Sequence, residues 1–200
     1  MRQIQRDTLN RIDSAIQSLY DNRLVHFRTT QRRYNDLRAR FLADALAGDP
    51  NAGKPMMMYL GFETMVCAEL YSALQNQFDP FSVFMELPGL GQDRIDLYVD
   101  YVDAKRLGPS YRGYLELKMY YNKDEVAYRH DFEKLKEMAM ADQDAVAVQV
   151  HFELYQNTSQ SNHRLIDGFA ASLDPSEYWY DVTTIGDDMF HFYRLSFGKN

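Results

Sequence analysis

Two segments decide how this chain reads: Arg94-Ile95-Asp96-Leu97-Tyr98-Val99-Asp100-Tyr101 and Gly113-Tyr114-Leu115-Glu116-Leu117-Lys118-Met119-Tyr120. In the first, Ile95, Leu97 and Val99 alternate with Asp96, Tyr98 and Asp100. In the second, Leu115, Leu117 and Met119 alternate with Tyr114, Glu116 and Lys118. Period-two alternation marks a strand with one face on a core and the other turned to something polar. The stretch between them contains Gly108-Pro109-Ser110, a loop composition, so the two strands are expected to pair as a hairpin.

Such a hairpin brings Asp96 towards Glu116, and Lys118, two residues on, shares the side of Glu116. Two carboxylates held together do not both ionise comfortably unless a cation lies between them. Magnesium suits hard oxygen ligands and keeps waters for chemistry. An amine beside it, here Lys118, would orient the attacking water, favour its deprotonated form and stabilise charge on a phosphorane. Each of the three residues also suits a solvated strand face, and they stand or fall together.

Working outward, residues 2–46 place Ile4, Ile12, Ile16, Leu19, Tyr34, Leu37 and Phe41 at helical spacings without a proline, as one long helix or two with a break near residues 21–30. Gly48-Asp49-Pro50-Asn51-Ala52-Gly53 is the best linker. The expected organisation is therefore an N-terminal helical arm, 1–47, and a main domain, 54–200. A second helix is expected from about Met57 to Gln77, ended by Asp79-Pro80, and a short strand over 82–87 ending at Pro88-Gly89-Leu90-Gly91. After the hairpin come a helix over about 123–141, a strand over 145–154 and a closing hairpin of 178–184 with 189–197, turned through Gly186-Asp187-Asp188. This order is that of an α/β or α+β domain with a mixed sheet flanked by helices.

The segments Arg94-Ile95-Asp96-Leu97 and Leu115-Glu116-Leu117-Lys118 resemble the D and ExK halves of the PD-(D/E)xK nuclease superfamily, and the element order from about residue 57 to 154 is similar to its helix, hairpin, helix and strand. Gly61-Phe62-Glu63, followed by Met65, Val66 and Leu70, is similar to the helix carboxylate of Mrr-like restriction enzymes; Glu69 competes with Glu63 for that role. Ile95 stands where the family name has proline. The resemblance covers about half the chain and implies a restriction-endonuclease-like fold and a magnesium-dependent endodeoxyribonuclease, a phosphodiester hydrolase of restriction or phage defence, with manganese able to substitute. It implies a metal held by Asp96, Glu116, the Leu117 carbonyl and Glu63, with Lys118 managing the water. The ends produced would be 5′-phosphate and 3′-hydroxyl. The rival readings are a non-catalytic interaction protein on a degenerate nuclease fold, and an RNA-directed or ligand-activated nuclease effector.

Composition bounds these readings. Two hundred residues, 46% hydrophobic and 14% aromatic, suffice for a substantial core. Cys67 is the single cysteine, which excludes an internal disulfide or a cysteine zinc site, and within an apolar helix it reads as core rather than nucleophile. His26, His130, His151, His163 and His191 show no metal-ligand spacing; Gln149 and His151, on the strand after the helix over 123–141, read first as core or surface positions, with a place facing the cleft as the alternative. No Gly-rich phosphate loop is present. There is no signal-peptide h-region and no run of about 18 apolar residues, so a soluble cytoplasmic protein without a membrane partner is expected. The net charge of −7 argues mildly against DNA, but residues 1–46 carry nine arginines against five aspartates, leaving the acidity in the remainder. The apolar stripe of the arm must be covered by something, and a homodimer through Ile12, Ile16, Leu19 and residues near Phe27 is expected. An activating partner or ligand stays open as well.

Overall fold

The computed structural model describes residues 1–28, scattered positions between 36 and 49, and 63–88, 94–102, 110–119, 125–154, 156–186 and 190–200. Its elements are α1 (Gln3–Arg28), α2 (Glu63–Gln77), a 3-10 turn (Pro80–Ser82), β1 (Val83–Pro88), β2 (Arg94–Val102), β3 (Ser110–Met119), α3 (Glu125–Ala141), β4 (Val146–Leu154), α4 (Gln156–Ser172), β5 (Tyr178–Gly186) and β6 (Phe190–Lys199). The described strands form one six-stranded mixed sheet in the order β1-β2-β3-β4-β6-β5. Only β3 and β4 run parallel, and α3 makes the crossover between them; every other neighbouring pair is antiparallel. This is the mixed α/β sheet flanked by helices that the alternation predicts.

The pleat sorts side chains between two cores. Leu97, Val99, Leu115, Leu117, Val146, Val148, Val150 and Phe192 point to one face and are covered by α1 and α2 through Ile12, Ile16, Leu19, Val66, Leu70 and Leu74. Ala147, Leu195 and Phe197 point to the other, where α3 and α4 bring Phe132, Leu135, Ile166 and Phe169. Phe132 and Phe169 stack at 4.6 Å between centroids and tie the two helices together. At the close of α2, Asp79 accepts a hydrogen bond from the Phe81 amide at 2.8 Å and so caps the turn that leads into β1.

The N-terminal helix is the main correction to the sequence reading. Ile12, Ile16 and Leu19, expected to pack against a second copy, are buried in this chain's own core. The helix is also stitched down at its start. Gln5 donates to the carbonyls of Gln143 and Lys199, each at 3.0 Å, and accepts from Trp179 Nε1 at 3.0 Å. Gly198 lies beneath this junction, where an added Cβ would stand 2.8 Å from the Ala145 carbonyl oxygen. Gly113 similarly lets Ile12 ride close over β3, its Cδ1 3.1 Å from where a Cβ would be. Arg194, on β6, reaches Asp13 of the helix at 2.8 Å and Asp181 of β5 at 2.7 Å. The described side chains of α1, Leu9 to Tyr20, therefore pack as a layer on the sheet of the same chain. A stripe of that area finds a sheet face more cheaply within its own chain than in a partner, because no association entropy is lost.

Helix α4 is a second difference. Its first half, Gln156-Asn157-Thr158-Ser159-Gln160-Ser161-Asn162, has no apolar period, and the sequence reading gave this region no helix. Among its described side chains, Ile166, Phe169, Ala170 and Leu173 are buried, and this packing anchors the element. The expected start of the second helix at Met57, the linker residues 50–53, Phe27 as a packing residue, and the turns at 89–91 and 187–188 lie outside the residues, or the side chains, that are described.

Candidate functional site

The polar face of the hairpin is where the expected residues meet. The β2–β3 ladder runs from Val102↔Ser110 to Leu97↔Leu115 and ends there, while β3 continues beside β4 as far as Met119↔Phe152. One rung beyond its end stand Asp96 and Glu116, opposite each other and on the same face. The strands part at this rung. The Leu117 amide donates instead to Asp96 Oδ2 at 2.9 Å, so the carboxylate sits in the fork and is oriented by β3 itself. Across β3, Glu116 lies abreast of Gln149 and Lys118 abreast of His151.

Helix α3 covers these groups. Arg112 of β3 binds Asp142, just past the end of the helix, at 2.7 Å and fixes its register over the strand. Asp131 and Lys134 then face the sheet. Lys134 Nζ lies 2.5 Å from Glu116 Oε1 and 3.2 Å from Asp131 Oδ1, and Lys118 Nζ lies 2.9 Å from Asp131 Oδ2. The result is a chain of alternating acidic and basic groups, Glu116, Lys134, Asp131, Lys118, which carries no net charge once all four are ionised.

Glu116 is 1% exposed, and its carboxyl is pushed up to about 8, first by burial and then by the negative charge of Asp96, against the pull of the Lys134 ammonium. Burial pulls Lys134 down, but Glu116 and Asp131 outweigh it and hold the ammonium above its ordinary value. His151 is fully buried and pushed down to about 3 by burial, with Lys118 and His163 adding to the effect. It is therefore a neutral imidazole at neutral pH, stacked on Tyr128 at 4.8 Å. Among the described residues, neither ring nitrogen of His151 has a hydrogen-bond partner, and Gln149 Oε1 has none either, although Gln149 Nε2 donates to the Tyr128 carbonyl at 3.2 Å. Orphaned polar atoms at alternate positions on one strand face, beside a buried carboxylate, mark a place where a small polar ligand or water would be held.

Of the sequence-predicted residues, Asp96, Glu116 and Lys118 are thus together, with the Leu117 backbone at the fork. The helix carboxylate does not join them through any described contact. Glu63 opens α2, and its side chain lies outside the described residues. Glu69 is exposed. Both sit on a helix that packs on the opposite face of the sheet. Asp131 and Lys134 were missed. Their signal was present: Asp131 shares a helical stripe with Tyr128, Leu135 and Met138, so a carboxylate lies in the apolar face.

Among the described residues, no group of three or more His, Cys, Asp and Glu side chains is arranged to hold a metal ion. The donor set is smaller, two carboxylates abreast at a fork. Its chemistry fits one divalent cation that keeps waters: Glu116 is buried, its proton affinity is raised by Asp96, and a cation already lies against it in the form of Lys134. No helix among the described residues is long and apolar enough to cross a membrane. Comparison with protein-family models, with curated proteins and with solved structures returned no match.

Proposed function

We propose that this chain is a metal-dependent nuclease of the PD-(D/E)xK type, hydrolysing DNA phosphodiester bonds, on a restriction-endonuclease-like variant of the mixed sheet. The observation that carries the reading is the pair Asp96 and Glu116, abreast where β2 and β3 part, with Lys118 two residues along the same strand face. Asp96, Glu116 and the Leu117 carbonyl would hold magnesium, or manganese in its place. When bound, the ion would polarise the scissile phosphate and lower the pKa of water. Lys118 would steady the water and the developing phosphate charge from the side of His151, whose neutral ring adds no repelling charge. Asp96 is kept in position by the Leu117 amide, so its free oxygen is directed without rearrangement. A double-strand cutter needs two such sites. A homodimer would supply them, through a surface other than Ile12, Ile16 and Leu19.

One observation favours a second reading, a non-catalytic protein on the same fold: Glu116 and Lys118 are already paired with side chains of α3. The deciding experiment is cleavage of supercoiled plasmid, linear single-stranded DNA and RNA with magnesium, manganese or chelator, with Lys118→Ala and Asp96→Asn as controls. Metal-dependent DNA cleavage lost in both variants supports the nuclease. Cleavage of RNA alone shifts the substrate class and fits an effector nuclease. Failure of every substrate and metal leaves the non-catalytic reading.

A further inference from the structure

The group lying against the buried carboxylate is the chain's own ammonium, and the nuclease reading makes no use of it. Lys134 Nζ is 2.5 Å from Glu116 Oε1, and its side chain is 10% exposed, so water does little to screen the pair. Resting on the reading of Asp96 and Glu116 as a divalent-cation site, we propose that Lys134 is a resident counter-ion, which holds the cation position at Glu116 in the metal-free protein and is displaced when a divalent ion enters.

An unpaired buried charge is costly. Burial favours the protonated form of Glu116, and the ionised form that a metal needs is held only against a cation, so a metal site built on it needs a substitute while empty. An ammonium and a divalent ion cannot both remain on one carboxylate, because their repulsion at contact distance in a poorly screened site is large. Lys134 therefore has to leave, and Asp131 gives it somewhere to go. The Asp131 carboxylate spans both amines, with Oδ1 3.2 Å from Lys134 and Oδ2 2.9 Å from Lys118. Lys134 can release Glu116 by rotation of its own stem while keeping Asp131, and at no stage is a buried charge left alone. The released amine stays beside Lys118, so the same movement that admits the metal gathers two ammonium groups on the side where a phosphate would approach. Apparent metal affinity then carries the cost of displacing Lys134, and removing the amine removes that cost.

The test uses manganese(II) alone, titrated calorimetrically into the full chain, Lys134→Met and Glu116→Gln. Lys134→Met should bind manganese at least about tenfold more tightly than the wild type, and Glu116→Gln should lose binding. In the wild type, acylation of Lys134 by acetic anhydride, read by mass spectrometry, should rise on saturation with manganese, because the amine leaves its covered position. A merely structural ion pair would not respond to the metal in this way. Equal or weaker binding by Lys134→Met, or unchanged Lys134 acylation at saturation, overturns the proposal while leaving the cation site standing. Absence of manganese binding in both the wild type and Lys134→Met overturns the cation site together with the proposal. Should Lys134→Met fail to fold, the acylation of the wild type decides.

Discussion

Replacing Glu116 by glutamine should change the pH dependence of folding more than its size at any one pH. In the folded metal-free chain the Glu116 carboxyl is pushed up to about 8 from an ordinary value of 4.5. Below 4.5 both folded and unfolded chains hold the proton, and Glu116 imposes no pH-dependent penalty. Between 4.5 and about 8 the unfolded chain has released it and the folded chain has not, so stability falls as pH rises. Above about 8 the loss is complete. At about 1.4 kcal/mol per tenfold change in proton affinity, the difference between the two states amounts to about 5 kcal/mol as an upper bound. Glu116→Gln has no proton to lose, so its stability relative to the wild type should climb by several kcal/mol between pH 5 and pH 9, at up to about 1.4 kcal/mol per pH unit. Asp13, pushed up to about 6 mainly by burial, adds a slope of the same sign, but it does so in both proteins and cancels in the difference. The assay is urea unfolding in chelator at five pH values, followed by circular dichroism. A difference that does not vary with pH, or falls with it, would refute the assignment of Glu116 as a buried, charge-crowded carboxyl. Manganese should restore wild-type stability at pH 9 by binding the ionised group, and should leave Glu116→Gln unmoved.

Other perturbations separate the layers of the structure. Ile16→Ala should cost about 2–5 kcal/mol in urea unfolding, whereas exposed Gln17→Ala should stay within about 0.5 kcal/mol; two equally small effects would mean that α1 is not packed on the sheet. Gly198→Ala, whose methyl would meet the Ala145 carbonyl and the Gln5 amide, should destabilise by about 1–3 kcal/mol, and wild-type unfolding would count against the close approach. Asp96→Asn keeps an oxygen for the Leu117 amide and should hold stability within about 1 kcal/mol while lowering cleavage by at least about a hundredfold, and Asp96→Ala should additionally cost about 1–3 kcal/mol by leaving that amide unpaired. Full cleavage by Asp96→Asn would assign the metal to another carboxylate.

The sheet was legible because its evidence is periodic and local. Ile95, Leu97, Val99, Leu115 and Leu117 announce their face by alternation, and the structure buries every one of them. Asp96, Glu116 and Lys118 were legible for the same reason, since a strand register places them without any knowledge of what lies opposite. What could not be read was everything that depends on a partner far along the chain. The stripe of α1 was visible, but sequence alone does not say whether Leu115 and Val148 or a second molecule covers it. Helix α4 has a polar first half and an apolar second half, so its existence depends on the groove that Phe132 and Leu195 offer. Lys134 is not singled out by the sequence, because its partner Glu116 lies 18 residues away and only the packing of α3 over β3 brings the two together.

The contrast between the two faces of the sheet bears on function. On the face covered by α1 and α2, burial is mostly apolar, and the main charged group, Arg194, is matched by Asp13 and Asp181. On the face covered by α3, the middle of the sheet holds Glu116, Lys118, Gln149 and His151, met from the helix by Asp131 and Lys134. Such a network contributes little net stability, because desolvating each charge costs about what its partner returns, and apolar side chains of the same volume would fold at least as well. Orphaned atoms on Gln149 and His151 make the balance worse. A fold that needed only a core would not gain from this arrangement, whereas a site for a cation and a phosphate uses two carboxylates, amines close beside them and polar atoms to hold a ligand. The network therefore argues for a function on this face independently of which superfamily the strands resemble. Replacing Gln149 and His151 together by Leu and Phe puts that argument at risk. If the face is a site, the double variant should gain stability in urea and keep manganese binding at Asp96 and Glu116 while losing metal-dependent cleavage; if the network is only structural, it should lose stability.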